Sequence, residues 1–202
     1  MNENTTAKLH LLQDQRLVNI LNQVSLADLD RPMSCFDALI DAIISQQLSN
    51  KAAATIYNRF LNLVGEEDVM SFLMATDIPP LRSVGLSNQK ASYVKNTAQF
   101  FDHHQLTDTI FQTMTDEDII SLLTQIKGVG TWTVEMVLIF KLNRPDILPV
   151  DDLIVRQGLK KVLGVPDMSR QKENEIFLKE TDSWRPFRSY AARYLWAAKD
   201  LL

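Results

Sequence analysis

Gly128-Val129-Gly130 and the aspartate pair Asp151-Asp152 are the residues whose types and spacing best suit chemistry. The glycines lie inside Leu122-Leu-Thr-Gln-Ile-Lys-Gly-Val-Gly-Thr-Trp-Thr-Val-Glu-Met-Val-Leu-Ile-Phe140, which reads as one helix end, a tight turn and the start of a second helix. Two glycines around one apolar residue let the backbone take positive φ and come close to a partner. A helix beginning at Thr131 would offer its first amide N–H groups to a phosphate oxygen. This is the pattern of a helix-hairpin-helix, which grips a nucleic-acid backbone without reading bases, although Gly-x-Gly alone can equally join two packed helices. The aspartates follow Leu148-Pro149-Val150 at the start of another helix. One aspartate suits the helix cap, and the second is left to face a neighbouring cleft. A carboxylate beside a backbone grip points to chemistry on DNA.

The elements that must position these groups are helical. Nearly every segment has helical periodicity and no convincing alternating run appears, so the fold class is all-α with short connections. From Ser34, Phe36, Leu39, Ile40, Ile43 and Ile44 form one apolar face, with Asp37, Asp41 and Ser45 opposite. Further helices are expected at about 7–24, 50–64, 67–75, 88–103, 116–125, 131–142, 152–163, 169–180 and 187–201, with Asn50, Ser87 and Ser169 as caps. Pro79-Pro80, Gly85, Pro145, Pro149 and Pro166 punctuate the chain. The helix from Thr131 is apolar on almost every side and should be buried, which would make the glycine turn feeding it rigid.

Two residues break the pattern. Gln47 falls on the apolar stripe of its helix, where a buried glutamine needs partners. Either it bonds the following loop, or Gln46-Gln47-Leu48 leaves the helix end to fill a gap in DNA, with Leu48 as a wedge in the base stack. In the last helix, Phe187, Tyr190, Ala191, Tyr194, Leu195, Ala198 and Leu201 make the core stripe, while Trp196 lies opposite beside Ser189 and Ala192. That indole either lines a cleft or covers a second core.

Composition sets wide bounds. The chain has 202 residues, 46% hydrophobic and 23% charged, enough for one globular unit or two interleaved subdomains. No apolar run approaches membrane-spanning length and the N-terminus is polar, so the expected location is the cytoplasm, with the chromosomal DNA. The single Cys35 excludes an internal disulfide, a cysteine-ligated zinc or an iron–sulfur cluster. Net charge of −4 argues mildly against a nucleic-acid binder. Locally, however, Arg82–Lys95 carries three basic residues and no acid, and Trp184–Lys199 carries Arg185, Arg188, Arg193 and Lys199 with none, so basic patches are expected there.

Five ordered motifs then resemble the helix-hairpin-helix DNA glycosylase superfamily, most closely its DNA-3-methyladenine glycosylase II branch: Ile43-Ile-Ser-Gln-Gln-Leu-Ser49, Gly85-Leu-Ser-Asn-Gln-Lys-Ala91, Ile126-Lys-Gly-Val-Gly-Thr-Trp-Thr133, Leu148-Pro-Val-Asp-Asp152 and Trp184-Arg-Pro-Phe-Arg-Ser-Tyr-Ala191. The likeness covers roughly residues 14–202 and looks like the compact form without an N-terminal β domain. It implies two helical subdomains flanking a cleft, one of about 1–33 plus 145–202 and the other of about 34–144. It implies that Asp151 is the catalytic aspartate and that Asp152 falls where relatives vary. By the same resemblance Trp132, Trp196 and Met136 belong to the base pocket, Met136 standing where some relatives have tyrosine. Trp132 also occupies the place of the Schiff-base lysine of bifunctional relatives, so lyase activity is not expected. Gln46, Gln47, Leu48, Gly128, Val129, Gly130 and Thr131 are the expected DNA contacts.

The implied reaction is extrusion of an alkylated purine, of the 3-methyladenine or 7-methylguanine type, and hydrolysis of its N-glycosidic bond in base excision repair. Aromatic faces would hold the cationic base with ~1–3 kcal/mol together, and a carboxylate would stabilise the oxocarbenium-like sugar. No cofactor is required on this reading. By the same resemblance, the hairpin is expected to be able to hold a Na⁺ or K⁺ on the backbone carbonyls of Thr124, Ile126 and Val129. The partner is double-stranded DNA with damaged bases, no membrane is involved, and a monomer is expected. The alternatives are a glycosylase for deaminated or oxidised bases, or a non-catalytic helix-hairpin-helix DNA-binding protein.

Overall fold

The computed structural model describes residues 2–29 and 33–201. In chain order these form α1 (Glu3–Leu11), α2 (Val18–Gln23), α3 (Cys35–Ser45), α4 (Asn50–Val64), α5 (Val69–Ala75), α6 (Ile78–Ser83), α7 (Asn88–His103), α8 (Asp108–Thr113), α9 (Asp116–Leu123), α10 (Thr131–Phe140), α11 (Leu153–Leu163), α12 (Arg170–Glu180), a 3-10 turn (Asp182–Trp184) and α13 (Arg188–Ala197). The architecture is all-helical among the described residues. The chain divides into two compact units, Met1–Asp30 with Asn143–Leu202, and Arg31–Leu142. The expected first boundary near residue 33 abuts residues 30–32, which lie outside the described residues.

In the second unit α3 is the central helix, packed against α4, α7 and α10. Its Leu39, Ile40, Ile43 and Ile44 are fully buried, as the apolar stripe requires. Its start is closed by a capping box between Ser34 and Asp37. The Cys35 amide also donates to Asp108 Oδ1 at 2.8 Å, which ties α8 to the same end. Burial and the neighbouring Asp108 push the Cys35 thiol up to about 12, so it packs as an unreactive apolar group.

The first unit is built around Leu17, Leu21, Val155, Leu159, Phe177, Trp184, Ala191 and Leu195, with α13 packed on α1, α2 and α11. The N-terminal helices and the C-terminal part of the chain share this core because α13 is buried on nearly every side, from Arg188 through Leu195.

Four expectations about elements need correction. The single helix at 7–24 is two, broken where Asp14 folds back to accept the Arg16 amide at 2.9 Å and the Trp184 indole N–H at 2.7 Å. Pro79-Pro80 does not end a helix but sits in the first turn of α6, where a missing N–H costs nothing. Short α8, just six residues, has too few turns to show a period. The α4 cap is Ser49 rather than Asn50, and Ser169 stands at the α12 cap position without a side-chain bond.

Candidate active site

The Asp151-Asp152 loop belongs to the first unit and is braced from several sides. Pro149 and Val150 turn tightly, with the Val150 amide on Leu148 O at 2.8 Å and the Asp152 amide on Pro149 O at 3.0 Å. Arg156 from α11 donates to Val150 O at 3.0 Å and to Asn174 Oδ1 at 2.6 Å, and it pairs with Glu173. The segment before the loop is held by α13. Ser189 Oγ accepts the Ile147 amide at 2.8 Å and donates to Arg144 O at 2.6 Å. Arg188 makes a two-pronged pair with Asp146, at 2.7 and 3.0 Å.

The two aspartates have separate partners. Asp152 caps α11, its Oδ1 accepting the Ile154 and Val155 amides at 3.0 and 2.9 Å. The same oxygen accepts the Trp196 indole N–H at 2.8 Å. Asp151 points outward, exposed, with Arg170 donating to its Oδ1 at 2.8 and 3.1 Å. Trp196 is half-buried against the first unit's core and fixed by that hydrogen bond. Sequence reasoning missed Arg170 and Arg156, because nothing in a lone arginine's spacing marks which loop it will brace.

In the second unit the hairpin joins α9 to α10. Val129 and Ile126 are buried and anchor the turn, and the Val129 amide bonds Ile126 O at 3.0 Å. Gly128 takes φ +101°, and an added Cβ would fall 2.1 Å from the Tyr93 ring. Gly130 differs from expectation: its φ is −100°, an ordinary value, and open space surrounds its Cβ position. It is the N-cap of α10 and makes no side-chain hydrogen bond there, which leaves the first-turn amides without a side-chain cap from that position. Thr131 beside it is exposed.

Gln46 and Gln47 exchange their expected parts. Gln46 ends α3 and its Nε2 donates to Gly128 O at 3.2 Å and Thr133 Oγ1 at 3.1 Å, tying the helix end to the hairpin. Gln47 is not buried on the stripe. The helix stops before it, and Gln47 stands exposed at φ +57° with Leu48, 37% exposed, following. Lys90 bonds the carbonyls of Ile44 and Gln46 at 2.7 and 2.6 Å and so closes the α3 end.

That use of Lys90 belongs to a wider correction. Lys95 is spent on Leu73 O and Thr76 O, Arg188 on Asp146, and Arg193 on Ala27 O at 2.5 Å. Arg185 pairs with Asp146 and Asp182. The two basic stretches are therefore largely internal struts, since a cation whose donors are consumed inside the protein contributes little to an outward field. Arg82 and Lys199 remain exposed.

Trp132 and Met136 line one cavity of about 290 Å³ between α3 and α10, together with Ala38, Asp41, Ala42 and Ser45. Asp41 and Ser45, read from sequence as the polar back of α3, thus face a recess. Two alanines one turn apart give it depth. A wall of indole, thioether and small residues with a few polar groups suits a flat heterocycle.

Residues 40–183 match the family described as HhH-GPD superfamily base excision DNA repair protein. The chain belongs to that superfamily. Within it, DNA-3-methyladenine glycosylase 1 of Schizosaccharomyces pombe is 37% identical over 82% of this chain and 73% of its own length. The solved structure of the Schizosaccharomyces pombe 3-methyladenine DNA glycosylase Mag1, in complex with abasic DNA, superposes with TM-score 0.85 at 33% identity, over 96% of this chain and 97% of that one. A Bacillus halodurans DNA-3-methyladenine glycosidase structure gives TM-score 0.79 at 30% identity, over 98% and 89%. HhH-GPD membership accounts for the hairpin. Among the described residues no helix is long and apolar enough to cross a membrane.

Proposed function

We propose that this HhH-GPD protein is a monofunctional DNA glycosylase of base excision repair, acting as a monomer on alkylated purines in double-stranded DNA. The observation that carries the reading is the division of the aspartate pair: Asp152 is engaged by the α11 cap and Trp196, which leaves Asp151 as the outward carboxylate on a braced loop. The names of the similar glycosylases support the same substrate class.

The chemistry follows from charge. Alkylation at N3 or N7 makes the purine a cationic leaving group, so the glycosidic bond needs little acid help. Asp151 would stabilise the oxocarbenium-like sugar and orient the attacking water. Trp132 and Met136 would receive the flipped base, the π face of Trp132 attracting its positive charge. Trp132 cannot act as an amine nucleophile, so no Schiff base and no strand nicking follow.

Gly128, Val129, Gly130 and Thr131 would present backbone to a phosphate, while Gln47 and Leu48 fill the gap left by extrusion. Gln46 serves by locking the hairpin to α3. The carbonyls of Thr124, Ile126 and Val129, which follow the C-terminal end of α9 where the helix dipole is negative, would hold a Na⁺ or K⁺. Such an ion would add positive charge beside the phosphate.

The test is a panel of duplexes carrying single lesions, scored for base release and separately for strand cleavage. Faster release of 3-methyladenine or 7-methylguanine than of uracil or 8-oxoguanine, without nicking, is expected. Efficient uracil or 8-oxoguanine release with negligible alkyl-purine activity would overturn the substrate assignment.

A further inference from the structure

Asp151 carries a guanidinium on its outward side. Arg170 Nη2 and Nε donate to Asp151 Oδ1 at 2.8 and 3.1 Å, and Nη2 also reaches the Asp151 carbonyl at 3.5 Å. The side chains are 63% and 49% exposed. Ion pairs this open to water contribute little to stability. Arg156 stands in contrast. Its side chain is 12% exposed and is shared between Val150 O, Asn174, Glu173 and, at 3.3 Å, Arg170 O. One arginine is a fixed brace for the loop and the backbone of Arg170. The other lays its head group on the carboxylate at the surface.

A carboxylate that must stabilise a developing cation works poorly while a guanidinium sits 2.8 Å away, because both positive charges draw on the same field. DNA supplies a competing anion. A phosphate matches the guanidinium fork at least as well as a carboxylate, and its capture releases condensed counterions from the duplex.

We propose that Arg170 passes from Asp151 to a DNA backbone phosphate when the protein engages its substrate, so that binding itself uncovers the carboxylate. The proposal rests on Asp151 being the glycosylase's carboxylate. Arg170 is then a positioning residue that couples the backbone grip to the chemistry. The exchange is easy because the pair it breaks is weak and the loop beneath it is held by Arg156 rather than by Arg170.

The experiment measures binding to a duplex containing a tetrahydrofuran abasic analogue, which cannot be cleaved, between 50 and 200 mM KCl. For Arg170→Gln the plot of log K against log salt should be shallower by about 0.9, so the wild-type advantage shrinks about 3.5-fold across that range. Arg170→Lys should restore most of the slope. Asp151→Asn should bind more tightly than wild type, and Arg170→Gln should remove that gain in the double variant. An unchanged slope in Arg170→Gln, or an Asp151→Asn gain that survives the loss of Arg170, overturns the exchange and leaves a static surface pair. Failure of the wild type to release any alkylated base would sink the glycosylase reading separately, since the salt slope is read on the uncleavable duplex.

Discussion

The Trp196 indole N–H and the Asp152 carboxylate are joined by a 2.8 Å hydrogen bond, on the same oxygen that caps α11. One carboxylate thereby fixes both a helix start and the plane of an aromatic ring. This engagement gives two adjacent, chemically identical side chains different partners, since Asp151 pairs with Arg170 instead.

Substitutions at the pair should divide accordingly. Asp151→Asn is expected to abolish base release while DNA binding survives. Asp152→Asn keeps an oxygen acceptor and a good cap, so activity should fall much less. Asp152→Ala loses both, with about 1 kcal/mol of stability lost at the cap and a raised KM as Trp196 loses its anchor. Thermal melts and single-lesion kinetics on the three variants check this. Normal turnover by Asp151→Asn would reverse the assignment.

The hairpin glycines should behave unequally. Gly128→Ala meets the Tyr93 ring and a φ of +101°, so destabilisation on the order of 1–3 kcal/mol is expected. Gly130→Glu has room and an ordinary φ, so the fold should hold. DNA binding by Gly130→Glu should nevertheless weaken at least about tenfold, because a carboxylate would stand where a phosphate is expected. Wild-type affinity in that variant would remove the backbone-grip role.

Trp132→Ala opens one wall of the cavity. Release of cationic 7-methylguanine should drop about tenfold or more, at least as strongly as release of neutral hypoxanthine, if the π face attracts positive charge. The ratio of kcat/KM values for the two lesions reads this directly. A selective loss on the neutral base would argue for shape rather than charge.

Acid should destabilise the first unit early. The Lys160 and Arg156 hydrogen bonds hold the Glu173 carboxyl at about 2. Burial pushes Asp14 up, but hydrogen bonds from Arg16 and Trp184 outweigh it and also leave it at about 2. Both folded-state values lie below the unfolded ones. Their contribution is therefore complete above about pH 5 and is lost as pH falls from there toward 2. The melting temperature should decline over that window. Glu173→Gln should start lower at pH 7 and lose less on acidification. Equal slopes for the two proteins would contradict the ion-pair account.

The positions of α3, α4, α7, α9 and α11 were legible because each carries a local apolar stripe and several a capping residue, and α10 because an apolar run follows the glycine turn; these signals act within a few residues. The motif around Gly128 and the placing of an aspartate at the α11 cap were readable for the same reason. What tertiary structure alone decided is which polar groups are already spent. Lys90, Lys95, Arg188 and Arg193 look like a DNA-steering surface in sequence, yet they close helix ends and pair internally. Gln46 and Gln47 are adjacent and identical, and only the point where α3 stops sends one to the hairpin and the other outward. Arg170 reaches Asp151 across 19 residues of chain, a pairing set by how α12 packs on α11. Apolar periodicity is a local property that sequence records. The destination of a long charged side chain depends on where distant carbonyls and carboxylates come to rest, and that is determined only when the helices have packed.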